Sequence, residues 1–188
     1  KQGENSIKFC SYHVFAQSQY QQEARHAMPK SWEKRSVTLS LEIISYDADI
    51  ITLQDADHFY DYWKRSLSLL GYDTVYNQRT EFRGSHDEGV IIAYKRSMFQ
   101  LYKSFPVELN NSVDEINDLN LKDRVVTDDV GLILLLQPWG DEGRGKDKVR
   151  SINSSLCVSC ATFSDKEGDS DVRLEQAKYL MRTIEQVM

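Results

Sequence analysis

The fold is decided by residues 46–55, which read YDADIITLQD. Within them, residues 49–53 form a short and mainly apolar run, which is typical of a strand buried on both faces. One helix signal ends directly before this run, and a second begins directly after it at Asp57. The stretch therefore predicts a central strand that connects two helices.

Outward from this strand, a period-two pattern predicts a strand over residues 7–14. Apolar spacing predicts a helix over residues 32–46, with Ser31 as its N-cap. Its apolar side chains are predicted to fall roughly on one face: Trp32, Val37, Leu41 and Ile44. The second helix runs from Asp57 to Gly71, a residue type that commonly follows a helix end.

The later part of the chain predicts five more strands, over residues 72–76, 89–94, 99–105, 130–137 and 155–163. A final helix is predicted to begin at Asp171 and to cover residues 172–187. Residues 106–124 are polar and acidic and are interpreted as an excursion, and residues 138–150 as a loop rich in glycine and charge. Strands and helices in this order indicate a mixed α/β domain in which helices cover sheets.

Composition narrows the class of protein. Hydrophobic residues make up 40% of the chain and prolines number 3, which indicates a folded core rather than disorder. A net charge of −6 excludes a wholly basic nucleic-acid-binding surface but is compatible with a local basic groove. The longest apolar run, residues 130–136, is too short to cross a bilayer, so no membrane association is expected.

The cysteines point to a cellular compartment. Cys10, Cys157 and Cys160 are odd in number, and two of them lie in apolar runs. This favours reduced thiols in an intracellular protein over a disulfide framework. No leader opens the chain, so we expect the cytoplasm ahead of the mitochondrion or the nucleus.

Several segments, taken in order, resemble the deadenylase branch of the endonuclease/exonuclease/phosphatase superfamily, which holds the carbon-catabolite-repressor deadenylases, nocturnin and the Angel proteins. The similar segments are residues 9–16 (FCSYHVFA), 31–35 (SWEKR), 46–55, 71–72 (GY), 88–96 (EGVIIAYKR), 129–137 (DVGLILLLQ) and 171–176 (DVRLEQ). The resemblance implies an α/β (α+β) fold, a deoxyribonuclease-I-like β-sandwich flanked by helices. Residues 1–188 are then a single, partial domain of this type, its N-terminal half.

The resemblance also implies a site. In the family, carboxylates and amides at one rim of the sandwich bind Mg²⁺, which polarises the scissile phosphate, while a histidine–aspartate pair activates water. The metal-binding glutamate of the family corresponds to Asp55, which makes Asp55 the expected metal ligand and Mg²⁺ the expected cofactor. An aspartate keeps the charge, but its carboxylate is one methylene shorter, and small misplacements are costly in catalysis.

The other positions of the implied site depart further from the family. An asparagine of the first strand corresponds to His13, and imidazole suits Zn²⁺ or Cu²⁺ better than Mg²⁺. The asparagine and histidine of the "NTH" strand correspond to Cys160 and Thr162, and the aspartate of "DG" to Glu88. The C-terminal "GDxN" and "SDH" motifs are missing, and the GD pairs at 140–141 and 168–169 are interpreted as loops. The polar residues of the implied site differ from those of the family, whereas the apolar framework is kept. We therefore predict a protein that keeps the fold but has lost the catalytic activity.

Structural roles compete with these site roles. Asp55 is either a residual metal ligand or a plain strand-end or helix-capping carboxylate, and His13 either belongs to the site or only makes hydrogen bonds. Cys157 and Cys160 form a CxxC, but on a strand they point to opposite faces, which argues against redox or metal use. Four basic residues either line a path for phosphate or are scattered over the surface: Arg79, Arg83, Lys95 and Arg96.

We therefore expect a catalytically impaired module that binds RNA or a protein in an RNA-processing or ribonucleoprotein assembly. We expect its open sheet edge to be covered by a partner, by a second copy or by the rest of its own chain. Two alternatives stay open. One is an active Mg²⁺-dependent exoribonuclease or phosphodiesterase whose C-terminal half is not in this sequence, and the other is a nucleotide phosphatase similar to nocturnin.

Overall fold

The computed structural model describes residues 6–23, 30–80, 87–139 and 155–188. Its strands are β1 (Phe9–His13), β2 (Ile50–Ala56), β3 (Tyr72–Gln78), β4 (Gly89–Lys95), β5 (Phe99–Glu108), β6 (Val130–Pro138) and β7 (Leu156–Ala161). Its α-helices are α1 (Gln17–Glu23), α2 (Trp32–Ser45), α3 (Lys64–Leu69), α4 (Leu119–Val125) and α5 (Ser170–Val187). A π-helical turn, Phe59–Trp63, leads into α3, and a 3₁₀ helix, Leu109–Glu115, follows β5.

The strands form two sheets that pack face to face. The first sheet has the order β1-β2-β4-β3 and the second the order β5-β6-β7. Only β1 and β2 run parallel among the described pairs, and the others are antiparallel. Apolar side chains from the inner faces, including Ile50, Ile92, Leu132 and Leu134, form the core between the sheets. The predicted β-sandwich is confirmed.

The central strand β2 is buried on both faces, as its apolar run predicts. Because side chains alternate along a strand, Ile50 faces the second sheet, while Ile51 and Leu53 face the helices. Helix α2, the π-helical turn and α3 cover this outer face, to which they contribute Ile43 and Trp63. Helix α5 covers the second sheet in the same way, so the domain has four layers.

The apolar residues predicted to share one face of α2 are divided between two faces, since Trp32 packs against the core and the other three do not. Val37, Leu41 and Ile44 are 55%, 66% and 42% exposed, whereas Leu39 and Ile43 pack against the sheet. The helix carries two apolar stripes, and the sequence pattern alone does not determine which stripe meets the sheet. As a result, an apolar stripe remains on the outer surface of the domain.

The polar segment 106–124 is more ordered than predicted. β5 continues through its first residues to Glu108, and the 3₁₀ helix and α4 follow. Asp118 caps α4, because its carboxylate accepts hydrogen bonds from the backbone N–H groups of Asn120 and Leu121. Of the predicted loop 138–150, residues 140–150 lie outside the described residues, as does the GD pair at 140–141. The GD pair at 168–169 lies in a turn before α5.

None of the helices described is long and apolar enough to cross a membrane.

Candidate functional site

Polar side chains from both sheets meet at one rim of the sandwich. His13 ends β1 and Asp55 lies near the end of β2, while Arg79 directly follows β3. Glu88 directly precedes β4, which runs antiparallel to β2 and β3, so it lies at the same rim. Asp129 directly precedes β6, and the side chain of Asn77 in β3 donates a 2.8 Å hydrogen bond to the Gly131 carbonyl of that strand.

Asp55 owes its position to an irregularity of β2. The pairing of β2 with β4 shifts register between Leu53 and Ala56, and Asp55 has a φ of +48°. Such bulges redirect a side chain, and aspartate tolerates a positive φ better than most residues. Asp55 is the last residue but one of β2, which agrees with a strand-end carboxylate, whereas His58 rather than Asp55 occupies the N-cap of the following helical turn, so Asp55 is not a helix cap.

Both carboxylate oxygens of Asp55 have a partner. Its Oδ2 lies 2.6 Å from Nε2 of His13, and its Oδ1 accepts a 2.7 Å hydrogen bond from Nη2 of Arg79. The His13 side chain is 53% exposed and contacts the Phe15 ring edge-on, whereas that of Asp55 is only 13% exposed. Asp55 and the Phe15 ring therefore both contact an imidazole that is about half exposed to solvent.

Arg79 is the centre of the rim. Its side chain is 16% exposed, its Nη1 lies 2.9 Å from Oδ1 of Asp129, and its Nε lies 3.6 Å from Oε1 of Glu88. Burial lowers the pKa of the Arg79 guanidinium, but the charges of Asp129, Asp55 and Glu88 outweigh burial and raise it overall. The guanidinium is therefore a permanent cation that three carboxylates share.

Asp129 has neutral donors in addition to Arg79. The hydroxyl of Thr127 donates to its Oδ2, and Nε2 of Gln176 in α5 donates to the same oxygen over 3.0 Å. Burial raises the pKa of Asp129, while Arg79 and these hydrogen bonds oppose that effect. The outer helix of the second sheet is thus connected to the rim through Gln176.

Cys160 and Thr162 lie next to this network. Sγ of Cys160 accepts a 3.1 Å hydrogen bond from Nε2 of Gln54, and burial raises the pKa of the thiol to about 12. The backbone N–H of Thr162 donates to the carbonyl of Val130 over 3.0 Å, and its hydroxyl lies 3.5 Å from the same oxygen. Cys157 packs on the opposite face of β7, near α5, as the alternation of a strand predicts.

The five residues expected in the site are thus distributed in two groups. Arg79 connects Asp55 with Glu88, and Asp55 contacts His13 directly. Cys160 and Thr162 make their hydrogen bonds to neighbouring strands at the same end of the sandwich. A catalytic role for any of the five stays a prediction.

A cavity of about 210 Å³ lies beside Arg79. Its walls include four carboxylates, those of Glu88, Asp128, Asp129 and Asp165, against two basic side chains, those of Arg79 and Lys166. Arg79 already pairs with three carboxylates, so the cavity offers little positive charge to an anion. The geometry does not favour a phosphate in this cavity.

The rim does not fit Mg²⁺. Mg²⁺ requires oxygen ligands in near-octahedral geometry, but both oxygens of Asp55 are engaged by the side chains of His13 and Arg79. A guanidinium 2.7 Å from Oδ1 also repels a second cation. Within the described parts of the chain, no group of three or more His, Cys, Asp or Glu residues is arranged to hold a metal ion.

The central role of Arg79 was missed by sequence analysis. Of the four basic residues, Arg83 lies outside the described residues, and Lys95 and Arg96 lie at the opposite end of β4, where they pair with carboxylates. These two residues therefore do not line a path at the rim. A signal existed: Glu88 and Asp129 each directly precede a predicted strand, and Arg79 lies three residues after another, at the end that the sandwich brings to Asp55.

Comparisons with known proteins agree with the fold. No model of a protein family matches the chain. Protein angel homolog 1 of Homo sapiens is 33% identical over 184 residues, which are 94% of this chain and 25% of that protein. The crystal structure of ANGEL2, described as a 2′,3′-cyclic phosphatase, superposes with a TM-score of 0.76 at 28% identity, covering 96% of this chain and 48% of that one.

The fold extends to a more distant structure. The human nocturnin catalytic domain superposes with a TM-score of 0.71 at 20% identity, covering 96% of this chain and 59% of that one. The chain therefore spans about a quarter of the curated relative, Angel homolog 1, and about half of the two solved structures.

Proposed function

Because the chain belongs to the endonuclease/exonuclease/phosphatase superfamily, in the branch of the Angel, CCR4 and nocturnin proteins, we propose that it is a catalytically impaired member of that branch. The homologues support a family of 3′–5′ exoribonucleases and phosphatases, enzymes that generally depend on a divalent metal ion. In this proposal the protein retains the fold of such an enzyme and uses it as a binding or scaffold module.

The main support for the proposal is that both carboxylate oxygens of Asp55 already have side-chain partners. By the resemblance, Asp55 corresponds to the metal-binding glutamate of the family, and its two oxygens are held by His13 and Arg79 at 2.6 and 2.7 Å. A metal ion must displace at least one of these partners, and displacing Arg79 also leaves Glu88 and Asp129 without that cation. His13, Cys160 and Thr162 support the same proposal. At each of these positions the resemblance implies an asparagine or a histidine of the family, and none of the three positions holds the residue implied there.

The surface favours a protein partner over RNA. The rim cavity is mainly acidic, and the chain carries a net charge of −6, so a polyanion meets repulsion. The outer stripe of Val37, Leu41 and Ile44 is apolar, and exposed apolar surface is typical of interaction sites. We place this partner in an RNA-processing or ribonucleoprotein assembly, following the relatives, one of which is a subunit of the CCR4-Not complex.

A hydrolysis assay tests the proposal on the complete polypeptide. The substrates are a labelled poly(A) oligonucleotide and an RNA that ends in a 2′,3′-cyclic phosphate, each with Mg²⁺ or Mn²⁺, and the control is Asp55→Ala. We expect no difference between the protein and this control. Shortening of poly(A) that disappears in Asp55→Ala would establish the exoribonuclease alternative, and opening of the cyclic phosphate that disappears would establish the phosphatase.

A further inference from the structure

One guanidinium at the rim joins carboxylates from three strands. Asp55 belongs to β2, Glu88 directly precedes β4, and Asp129 directly precedes β6 of the second sheet. Arg79 directly follows β3, and its backbone N–H donates a 2.9 Å hydrogen bond to the carbonyl of Glu88. The side chain of Arg79 therefore lies between the two sheets and connects them where the strands end.

We propose that Arg79 is an internal cation that takes the place of a divalent metal ion at this rim. A metal ion among carboxylates neutralises them and fixes the positions of their oxygens. Arg79 neutralises all three carboxylates and fixes two of them. Its Nη2 and Nη1 lie 2.7 and 2.9 Å from oxygens of Asp55 and Asp129, whereas its Nε lies 3.6 Å from an oxygen of Glu88, a distance at which the charges attract without a hydrogen bond. A guanidinium suits this task, since it stays charged and carries five donors in a planar fork.

Burial makes a cation at this position necessary. The side chains of Asp129 and Glu88 are 2% and 6% exposed, and a buried carboxylate is costly unless a charge and hydrogen bonds compensate it. Thr127 and Gln176 supply hydrogen bonds to Asp129 but no charge. Arg79 supplies the charge to all three carboxylates at once.

Arg79 and a divalent ion are therefore alternatives at this rim. If the guanidinium is removed, the three carboxylates lose a shared cation. As the described residues stand they form no metal-binding group, so a divalent ion must draw Asp55 and Asp129 together in the space that the guanidinium leaves, and in doing so it stabilises the fold. This inference rests on the proposed function, from which it takes that the natural protein binds no metal ion at Asp55. The two fail separately, because hydrolysis tests the first and the stability of Arg79 variants tests the second.

The experiment compares thermal unfolding of the complete polypeptide with and without Mg²⁺ or Mn²⁺, together with Mn²⁺ binding followed by electron paramagnetic resonance. The variants are Arg79→Ala and, as a matched control, Arg96→Ala, which removes an exposed arginine of the same sheet. We expect the natural protein and Arg96→Ala to be insensitive to metal. Arg79→Ala should unfold at a lower temperature than the natural protein, and its unfolding temperature should rise to a plateau as metal is added. Its affinity for Mn²⁺ should exceed that of the natural protein by about tenfold or more.

A second variant keeps the inference testable if Arg79→Ala does not fold. Arg79→Gln combined with Asp129→Asn removes one positive and one negative charge at similar side-chain size. It should fold more readily than Arg79→Ala and bind Mn²⁺ more weakly than a metal-refolded Arg79→Ala. The inference is overturned if Arg79→Ala matches the natural protein in stability and Mn²⁺ affinity, or if metal fails to recover an unfolded Arg79→Ala. It is also overturned if the natural protein binds Mn²⁺ in a way that Asp55→Ala abolishes.

Discussion

Replacing Gly89 by alanine should loosen the β3–β4 hairpin that positions Arg79 and Glu88. A Cβ at Gly89 would lie 2.2 Å from the carbonyl oxygen of Asn77 and 2.8 Å from Cα of Gln78. Both atoms belong to the backbone of the neighbouring strand, so the strands must move apart to admit the methyl group. Overpacking costs about 1–3 kcal/mol when side chains yield, and here backbone must yield, so we expect a loss of about 3 kcal/mol.

Gly131→Ala is the matched control for this substitution. A Cβ at Gly131 would lie 3.3 Å from Cδ1 of Leu180 and 3.4 Å from Cβ of Val107, contacts that a flexible leucine relieves by a small shift. We expect a change of about 1 kcal/mol or less in the free energy of unfolding. The measurement is urea unfolding of both variants, compared at an unchanged m-value. If Gly89→Ala is as stable as Gly131→Ala, the packing described for the hairpin is incorrect.

Three further predictions concern other parts of the domain. Burial raises the pKa of the Cys160 thiol to about 12, so alkylation at pH 8 followed by mass spectrometry should modify Cys160 last of the three cysteines, and early labelling would contradict its burial. Arg35 is a buried cation that donates to two backbone carbonyls, so Arg35→Met should lower the free energy of unfolding by about 3 kcal/mol, and a loss below about 1 kcal/mol would contradict this role. Arg124 holds the pKa values of Asp169 and Asp171 below the ordinary value of aspartate, so the stability they contribute is present at neutral pH and is lost as the pH falls below about 4. Urea unfolding from pH 7 to pH 3 should show this loss, and in Arg124→Ala the free energy of unfolding should fall less steeply with pH. An equally steep fall in Arg124→Ala would count against the ion pairs.

Sequence patterns predicted the fold better than they predicted the site. The apolar run that forms β2 predicts a central strand, because an apolar strand of this kind must be covered on both faces. Helix α2 has two apolar stripes, so the pattern left its orientation undecided, and Leu39 and Ile43 rather than Leu41 and Ile44 meet the sheet.

The site depended on contacts that cross between strands. Asp55 and His13 were identified through the resemblance, and the structure brings them to 2.6 Å. Arg79 was grouped with three other basic residues, because a position near a strand end does not by itself distinguish a buried arginine from an exposed one. Its role follows from Asp129, which is 50 positions away in the chain and meets it only when the two sheets pack.

The central claim is that Arg79, and not a metal ion, balances the carboxylates of the rim. The most direct measurement is a crystal structure of the complete polypeptide grown with Mn²⁺, with an anomalous difference map calculated at the manganese edge. We predict no anomalous peak among Asp55, Glu88 and Asp129, and density for the Arg79 guanidinium between Asp55 and Asp129. A manganese peak in coordination contact with Asp55, with the Arg79 side chain turned away from it, would contradict the account.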